Sequence, residues 1–199
     1  MANFQGPTPP DNEKVKELIV LLSEQSEGDE YFGATKLNKL LFYTDFISYI
    51  MYGKSVTGSS YEVQPRGPML RGFYDVRSEM ERNDDIVVAT RNFGGHTQHK
   101  TIAKRDPIPS KFTGEEMAII YRVLSDFRNT NATEISELSH DFLGWRVMDV
   151  GEEIPYEIAL VSTAELTPEE WAYPEDQHFD FAAHGYHEAD IMTNATKNL

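Results

Sequence analysis

Histidines and carboxylates are the side chains of this sequence whose type and spacing could do chemistry. His184 and His187 stand near Asp180, Glu188 and Asp190, and imidazole and carboxylate groups can bind zinc together. Short-spaced histidines in an acidic segment are more often solvated than bound to metal. We therefore predict no metal site and no other cofactor.

His140 is the candidate for a general base, because imidazole titrates near neutral pH. No nucleophile is paired with it in the sequence, and the chain has no cysteine, which excludes thiolate nucleophiles and cysteine zinc sites. The motifs of serine hydrolases, phosphate loops, dinucleotide-binding loops and zinc proteases are missing. We expect a protein that is not an enzyme, with His140 buried and hydrogen-bonded in a structural role.

Three arginines surround a Gly-Pro turn and could bind a partner. Arg66, Arg71 and Arg77 flank or follow Gly67-Pro68, so they could form a basic contact face for an acidic partner. The alternative is that they pair with carboxylates of this chain, which is the default for surface arginines.

The net charge of −15 is placed unevenly. Residues 152–199 contain eleven acidic residues and one basic residue, whereas residues 31–111 contain twelve basic and eight acidic residues. A negative field disfavours nucleic-acid binding and favours basic partners. The same charge would also serve solubility alone.

One helix, near residues 36–52, organises the predicted fold. Apolar residues cover most of its circumference and leave a narrow polar gap at Asn38 and Asp45, so other elements must enclose it. Thr35 is expected to be its N-cap and Gly53 its stop. Lys36 and Lys39 oppose the helix dipole at its start, so either they have acidic partners or the helix begins earlier, near Phe32.

Other elements follow along the chain. Residues 61–64 alternate as a short strand, Pro68 suits the first position of a helix, and residues 86–103 predict a β-hairpin. Two capping boxes begin helices over 115–128 and 132–143, with Tyr121 among the inward residues of the first. The second helix has no Lys or Arg, which argues against a DNA-binding helix-turn-helix. The fold class is α+β and predominantly α-helical, with four or more helices around the central one.

The chain is expected to divide into three parts. Residues 1–10 are Pro-rich and flexible, residues 11–165 form the helical domain, and residues 166–199 form an acidic segment rich in histidine and aromatic residues. The start of the sequence lacks export features, and the central helix is too short to cross a bilayer and carries the charged residue Asp45. We expect a cytoplasmic protein without membrane contact.

Two ordered motifs resemble the Panacea domain, a family that includes SocA-like antitoxins and phage-associated proteins. The first motif runs through Lys36, Leu37, Lys39, Leu40, Leu41 and Tyr43 and continues to Arg66-Gly67-Pro68 and Tyr74; the second comprises Leu138-Ser139-His140 and Trp145. The likeness spans about residues 12–160. Gln64-Pro65 before the Gly-Pro pair, with Met69 after it, departs from the family pattern, and the acidic segment has no counterpart that we can assign.

The resemblance implies an antitoxin that neutralises a cognate protein toxin by direct contact, and the acidic C-terminal segment suggests that this toxin has a basic face. An adaptor that delivers its partner to a protease is the alternative, and a DNA-binding autorepressor is disfavoured by the charge. We expect Arg66, Gly67, Pro68, Arg71 and Tyr74 to contact the partner. The remaining motif residues, with His140 and Trp145, are expected to hold the fold.

Overall fold

Residues 8–161 are described by a computed structural model of the chain. The helices in this part are α1 (Asn12–Gln25), α2 (Ala34–Tyr52), α3 (Phe73–Arg82), α4 (Gly114–Asp126), α5 (Ala132–His140) and α6 (Leu143–Val147). The strands are β1 (Tyr61–Glu62), β2 (Met69–Leu70), β3 (Ile86–Phe93), β4 (His96–Ala103) and β5 (Glu153–Ile154), and 3₁₀ turns cover Pro109–Lys111 and Tyr156–Leu160. Most of the Pro-rich start and the whole acidic segment 166–199 lie outside the described residues. Within 8–161, no helix has the length and apolarity needed to cross a membrane.

Helix α2 is the centre of the fold, as predicted. Its residues are buried from Lys36 to Tyr49, and it packs against α1, α4 and α5. Gly53 ends it in the left-handed conformation (φ 70°). The predicted N-cap is wrong, because the helix begins one residue before Thr35 and Gly33 occupies the cap position. A Cβ on Gly33 would lie 2.9 Å from Gln98 Cγ, so glycine lets β4 approach the helix start.

The polar gap predicted on α2 does not face solvent. Asp45 is fully buried and accepts hydrogen bonds from Thr57 N (2.7 Å) and the Tyr61 hydroxyl (2.8 Å). Burial raises the pKa of Asp45 to about 6, against the opposing effect of these donors. The polar positions of α2 therefore anchor the neighbouring loops to the core.

A three-stranded antiparallel sheet of order β2-β1-β5 packs against α2 through β2 and Tyr61 of β1. Tyr61 of β1 pairs with Leu70 and with Ile154. The expectation that Pro68 begins a helix is wrong, because Leu70 N donates to Asn38 Oδ1 (2.9 Å) and residues 69–70 are extended. Helix α3 begins only at Phe73, after Gly72 in the left-handed conformation.

The hairpin predicted for residues 86–103 is confirmed. Strands β3 and β4 pair from Ile86↔Ala103 to Phe93↔His96, and Gly94 and Gly95 both have positive φ (59° and 80°). Two consecutive residues with positive φ match the right-handed twist of the strands in a two-residue hairpin turn. The strand β4 packs against α1 and α2.

Both predicted capping boxes are present. Thr113 and Glu116 satisfy each other's backbone N–H groups at the start of α4, and Asn131 and Glu134 do the same for α5. Tyr121 was predicted to point inward and is exposed instead. Ile119 and Val123 are buried in its place, so the buried face of α4 is rotated relative to the prediction.

A clamped loop as the candidate functional site

The loop 64–72, which connects β1 to α3 and includes β2, is held to α2 by buried side chains. Asn38 Nδ2 donates to Pro68 O (2.9 Å), and its Oδ1 accepts from Leu70 N. Lys39 Nζ donates to the same Pro68 oxygen at 2.7 Å. Both polar residues are buried, so the loop is fixed from beneath by hydrogen bonds that water does not reach.

Lys39 has a carbonyl partner instead of the predicted acidic one. Its side chain is 2% exposed, and burial lowers its pKa to about 7 because the charged ammonium is poorly solvated there. Lys36, one turn earlier, does have the predicted acidic partner: its Nζ lies 2.6 Å from Asp29 Oδ2. The two lysines of the motif therefore point to different sites.

Gly67 is required at the centre of the loop for two reasons. Its φ of +92° disfavours any residue with a side chain. A Cβ at this position would also lie 2.1 Å from Ser139 Oγ and 2.6 Å from Lys39 Nζ. The loop backbone thus packs directly against α2 and α5.

The second motif supports the same loop from α5 and α6. Trp145 Nε1 donates to Gln64 O at 2.8 Å, and the His140 ring stacks on the Trp145 ring with centroids 3.9 Å apart. Burial, and then the charge of Lys39, lower the pKa of His140. The predicted hydrogen bond of His140 is not seen at Nε2, which is buried without a partner among residues 8–161.

The residues predicted to contact a partner separate into two groups. Gly67 and Pro68 are buried, whereas Arg66, Arg71 and Tyr74 are exposed. Arg71 Nη1 pairs with Glu153 Oε2 (2.8 Å), and its Nε lies 3.4 Å from Glu62 Oε2. Arg71 thus pairs with carboxylates of this chain, which was the default expectation for these arginines, and Arg77 cannot join a basic face because it is buried with its guanidinium 5.2 Å from the centre of the Phe73 ring.

Sequence reasoning missed two exposed valines in the chain next to the loop. Val147 and Val150 are 63% and 64% exposed, and both lie in the segment that leads into β5. Gly151 N donates to Val63 O at 2.8 Å, which places this segment next to the start of loop 64–72. A valine at the end of a five-residue helix, or between that helix and β5, gives no periodic signal, so only the pairing of β1 with β5 shows that this part of the chain lies near the loop.

The remaining motif residues lie in the core. Leu37, Leu40 and Leu41 are at most 1% exposed, and Tyr43 is buried with its ring stacked on Phe127. In the described part of the chain, no three His, Asp or Glu side chains are placed to hold a metal ion together. The candidate metal residues His184 and His187 lie outside that part.

The comparisons with known proteins agree with the motifs. The sequence model of one family, described as antitoxin SocA-like, Panacea domain, matches residues 37–146. The match runs from the central helix, through the clamped loop, to the residue after Trp145, and covers more than half of the 199 residues. Comparisons with curated proteins and with solved structures found no match. The chain therefore belongs to the family of SocA-like antitoxins defined by the Panacea domain.

Proposed function

We propose that this protein is a non-enzymatic antitoxin that neutralises a cognate protein toxin by direct binding. Family membership supports the antitoxin class. The observation that supports this site is the way loop 64–72 is held: the buried side chains of Asn38 and Lys39 and the half-buried side chain of Trp145 donate hydrogen bonds to its backbone. The side chains of Arg66 and Arg71 on the same loop remain exposed.

The contact surface in this proposal, which we call the loop surface, combines the outer side of the loop with exposed residues of α3 and of the chain before β5. It comprises the exposed side chains of Arg66, Arg71, Tyr74, Val147 and Val150. Tyr74 is 60% exposed, and tyrosine and arginine are enriched among residues that dominate binding energy. Gly67 and Pro68 position the backbone rather than contact the toxin. A preformed loop loses little conformational entropy on binding, which favours affinity.

The charge distribution supports a protein partner over nucleic acid. Helix α5, in the position of a recognition helix, exposes Glu134 and Glu137 and carries no Lys or Arg. A DNA-binding surface needs cations to neutralise phosphates. In the proposal, the acidic residues 166–199 attract a basic face of the toxin and thereby increase the association rate.

An affinity purification tests the function. The tagged full-length protein is isolated from its own host, and the co-purifying proteins are identified by mass spectrometry. The product of the neighbouring gene is then expressed alone and together with this protein. A stoichiometric partner that arrests growth alone, and not in the presence of this protein, is the expected result.

The turnover of that partner separates the antitoxin from the adaptor. A partner that accumulates in a stable complex agrees with direct neutralisation. A partner that disappears faster when this protein is present, and that persists when the host protease is inactivated, would replace the proposal with the adaptor function.

A further inference from the structure

A groove lies outside loop 64–72, since none of the residues that line it belongs to that loop. It has a volume of about 510 Å³ and lies between the α1–α2 connection and the end of α4. Leu40 and Phe127 form a buried apolar floor, and Tyr31 and Tyr121 line the groove with 39% and 47% of their surface exposed. Two exposed tyrosines above an apolar floor are typical of a binding surface, since a tyrosine ring gives contact area at low entropic cost.

The side of the groove formed by the α1–α2 connection keeps a small excess of negative charge, because its carboxylates are opposed by Lys36, Arg91 and Lys100. Residues 24–30 contain four acidic residues and no basic residue. Helices α1 and α4 both end at the groove, and the C-terminal end of a helix carries partial negative charge. Arg128 is the exposed cation on the opposite wall, so positive charge is favoured on the side of Glu30.

One lysine of the chain already binds this region from inside. Lys36 Nζ lies 2.6 Å from Asp29 Oδ2 and donates to Thr130 O (2.7 Å) and Arg128 O (3.2 Å). These partners use the three N–H donors of its ammonium group. Lys36 neutralises Asp29 by forming an ion pair with it. Glu30, in contrast, has no ion pair within residues 8–161.

The hairpin holds this wall of the groove in place. Arg91 Nη2 and Gln98 Nε2 donate to Glu30 O at 2.6 and 2.9 Å. Lys100 Nζ donates to Glu27 O (2.6 Å) and Asp29 O (3.1 Å). The Tyr31 ring contacts the Phe93 ring edge to face, with centroids 5.8 Å apart. These contacts fix the position of the wall that carries Glu30 and Tyr31.

We propose that this groove binds a lysine or arginine side chain of an extended segment of a protein partner. The cationic head group contacts Glu30 and the faces of Tyr31 and Tyr121, which attract cations, and the aliphatic part of the side chain covers the apolar floor. The inference rests on the proposed function only in taking the toxin as the source of this segment. It gives the complex a second contact, on elements other than those of the loop surface.

A peptide titration tests the groove directly. The probe is acetyl-Gly-Arg-Gly-Arg-Gly-amide, added to the full-length ¹⁵N-labelled protein, and its neutral counterpart has glutamine in place of arginine. We expect amide shifts at Glu30, Tyr31 and Tyr121 with the basic peptide alone. Tyr121→Ala should weaken the affinity about fivefold, as expected for the loss of one cation–π contact, and Glu30→Gln should weaken it as well.

Tyr74→Ala is the matched control, because it removes an exposed tyrosine outside the groove. It should leave the peptide affinity unchanged and weaken binding of the purified toxin. Shifts that avoid the groove, or that persist unchanged in both groove variants, would overturn the inference. A toxin that binds Tyr74→Ala as tightly as it binds the wild type would instead contradict the proposal that the loop surface binds the toxin. The two proposals can therefore fail separately.

Discussion

Lys39 is a buried lysine whose only hydrogen-bond acceptor among the described residues is a backbone oxygen of the clamped loop. Burial lowers its pKa from 10.5 to about 7. Between these values the unfolded chain takes up a proton that the folded chain does not. The stability contributed by Lys39 is therefore complete at high pH and is lost as the pH falls toward 7.

This linkage predicts a pH-dependent effect of Lys39→Met. The free energy of unfolding of the wild type, minus that of the variant, should increase by up to about 1.4 kcal/mol per pH unit between about pH 7.5 and 9.5. Urea unfolding at several pH values measures it. Lys111→Met, at an exposed lysine, is the control for the loss of one charge. A difference that does not vary with pH would show that Lys39 stays protonated in the folded protein.

Gly67 offers a second prediction at the scale of one residue. Gly67→Ala should destabilise the protein by about 1–3 kcal/mol more than Gly72→Ala, because overpacking is added to the strain of positive φ that the two positions share. Both glycines have positive φ, but a Cβ on Gly72 would meet nothing within 4 Å. Equal losses in thermal or urea unfolding would mean that the loop does not pack closely on Ser139 and Lys39.

The sequence predicted part of this site and missed its geometry. A lysine at the start of an apolar helix signals an unusual partner, and Lys36 has the acidic one expected. Lys39 and Asn38 instead bind the backbone of a loop about 30 residues away. Every residue has a backbone carbonyl, so residue types do not show which carbonyl a buried side chain will bind. The partner of Lys39 could therefore not be identified from the sequence.

At the scale of elements, the sequence predicted the ends of helices and the hairpin turn correctly where residues next to each other in the chain determine them. The capping boxes of α4 and α5, the end of α2 at Gly53 and the hairpin turn were all predicted from neighbouring residues. The sheet β2-β1-β5 was not, because its strands have two residues each and come together only through long-range pairing. The prediction that Pro68 begins a helix was wrong for the same reason, because the long-range pairing of β2 with β1 overrides the preference of proline for the start of a helix.

The hairpin should control the mobility of the α1–α2 connection. Lys100→Met removes the donor to Glu27 O and Asp29 O, so we expect faster hydrogen exchange of the amides in residues 27–33 with little change elsewhere. Lys104→Met is the matched control, because Lys104 lies just beyond β4 and pairs with Asp84. Unchanged exchange in the Lys100 variant would mean that the hairpin does not hold this connection.

At the scale of the whole molecule, residues 31–111 and residues 166–199 carry opposite net charges, and we propose different roles for them. Residues 31–111 have an excess of four basic residues, whereas residues 166–199 contain seven acidic residues and one basic residue. Oppositely charged partners associate faster when their fields attract each other, and salt screens that attraction.

Removal of residues 166–199 should therefore slow association with the toxin and weaken the salt dependence of the association rate. Stopped-flow mixing at several salt concentrations measures both quantities. A full-length variant with the seven acidic residues replaced by their amides is the control that keeps the chain length. Association rates equal to those of the wild type in both proteins would remove this segment from the mechanism.

The central claim is that the loop surface binds the toxin, and the affinity of the double variant Arg66→Glu/Tyr74→Ala for the purified toxin tests it most directly. Calorimetric titration should show at least about a hundredfold weaker binding, as expected for two residues of a binding centre. Arg82→Glu, which reverses one exposed charge on α3, should bind like the wild type. A double variant that remains folded and binds with wild-type affinity would contradict the account.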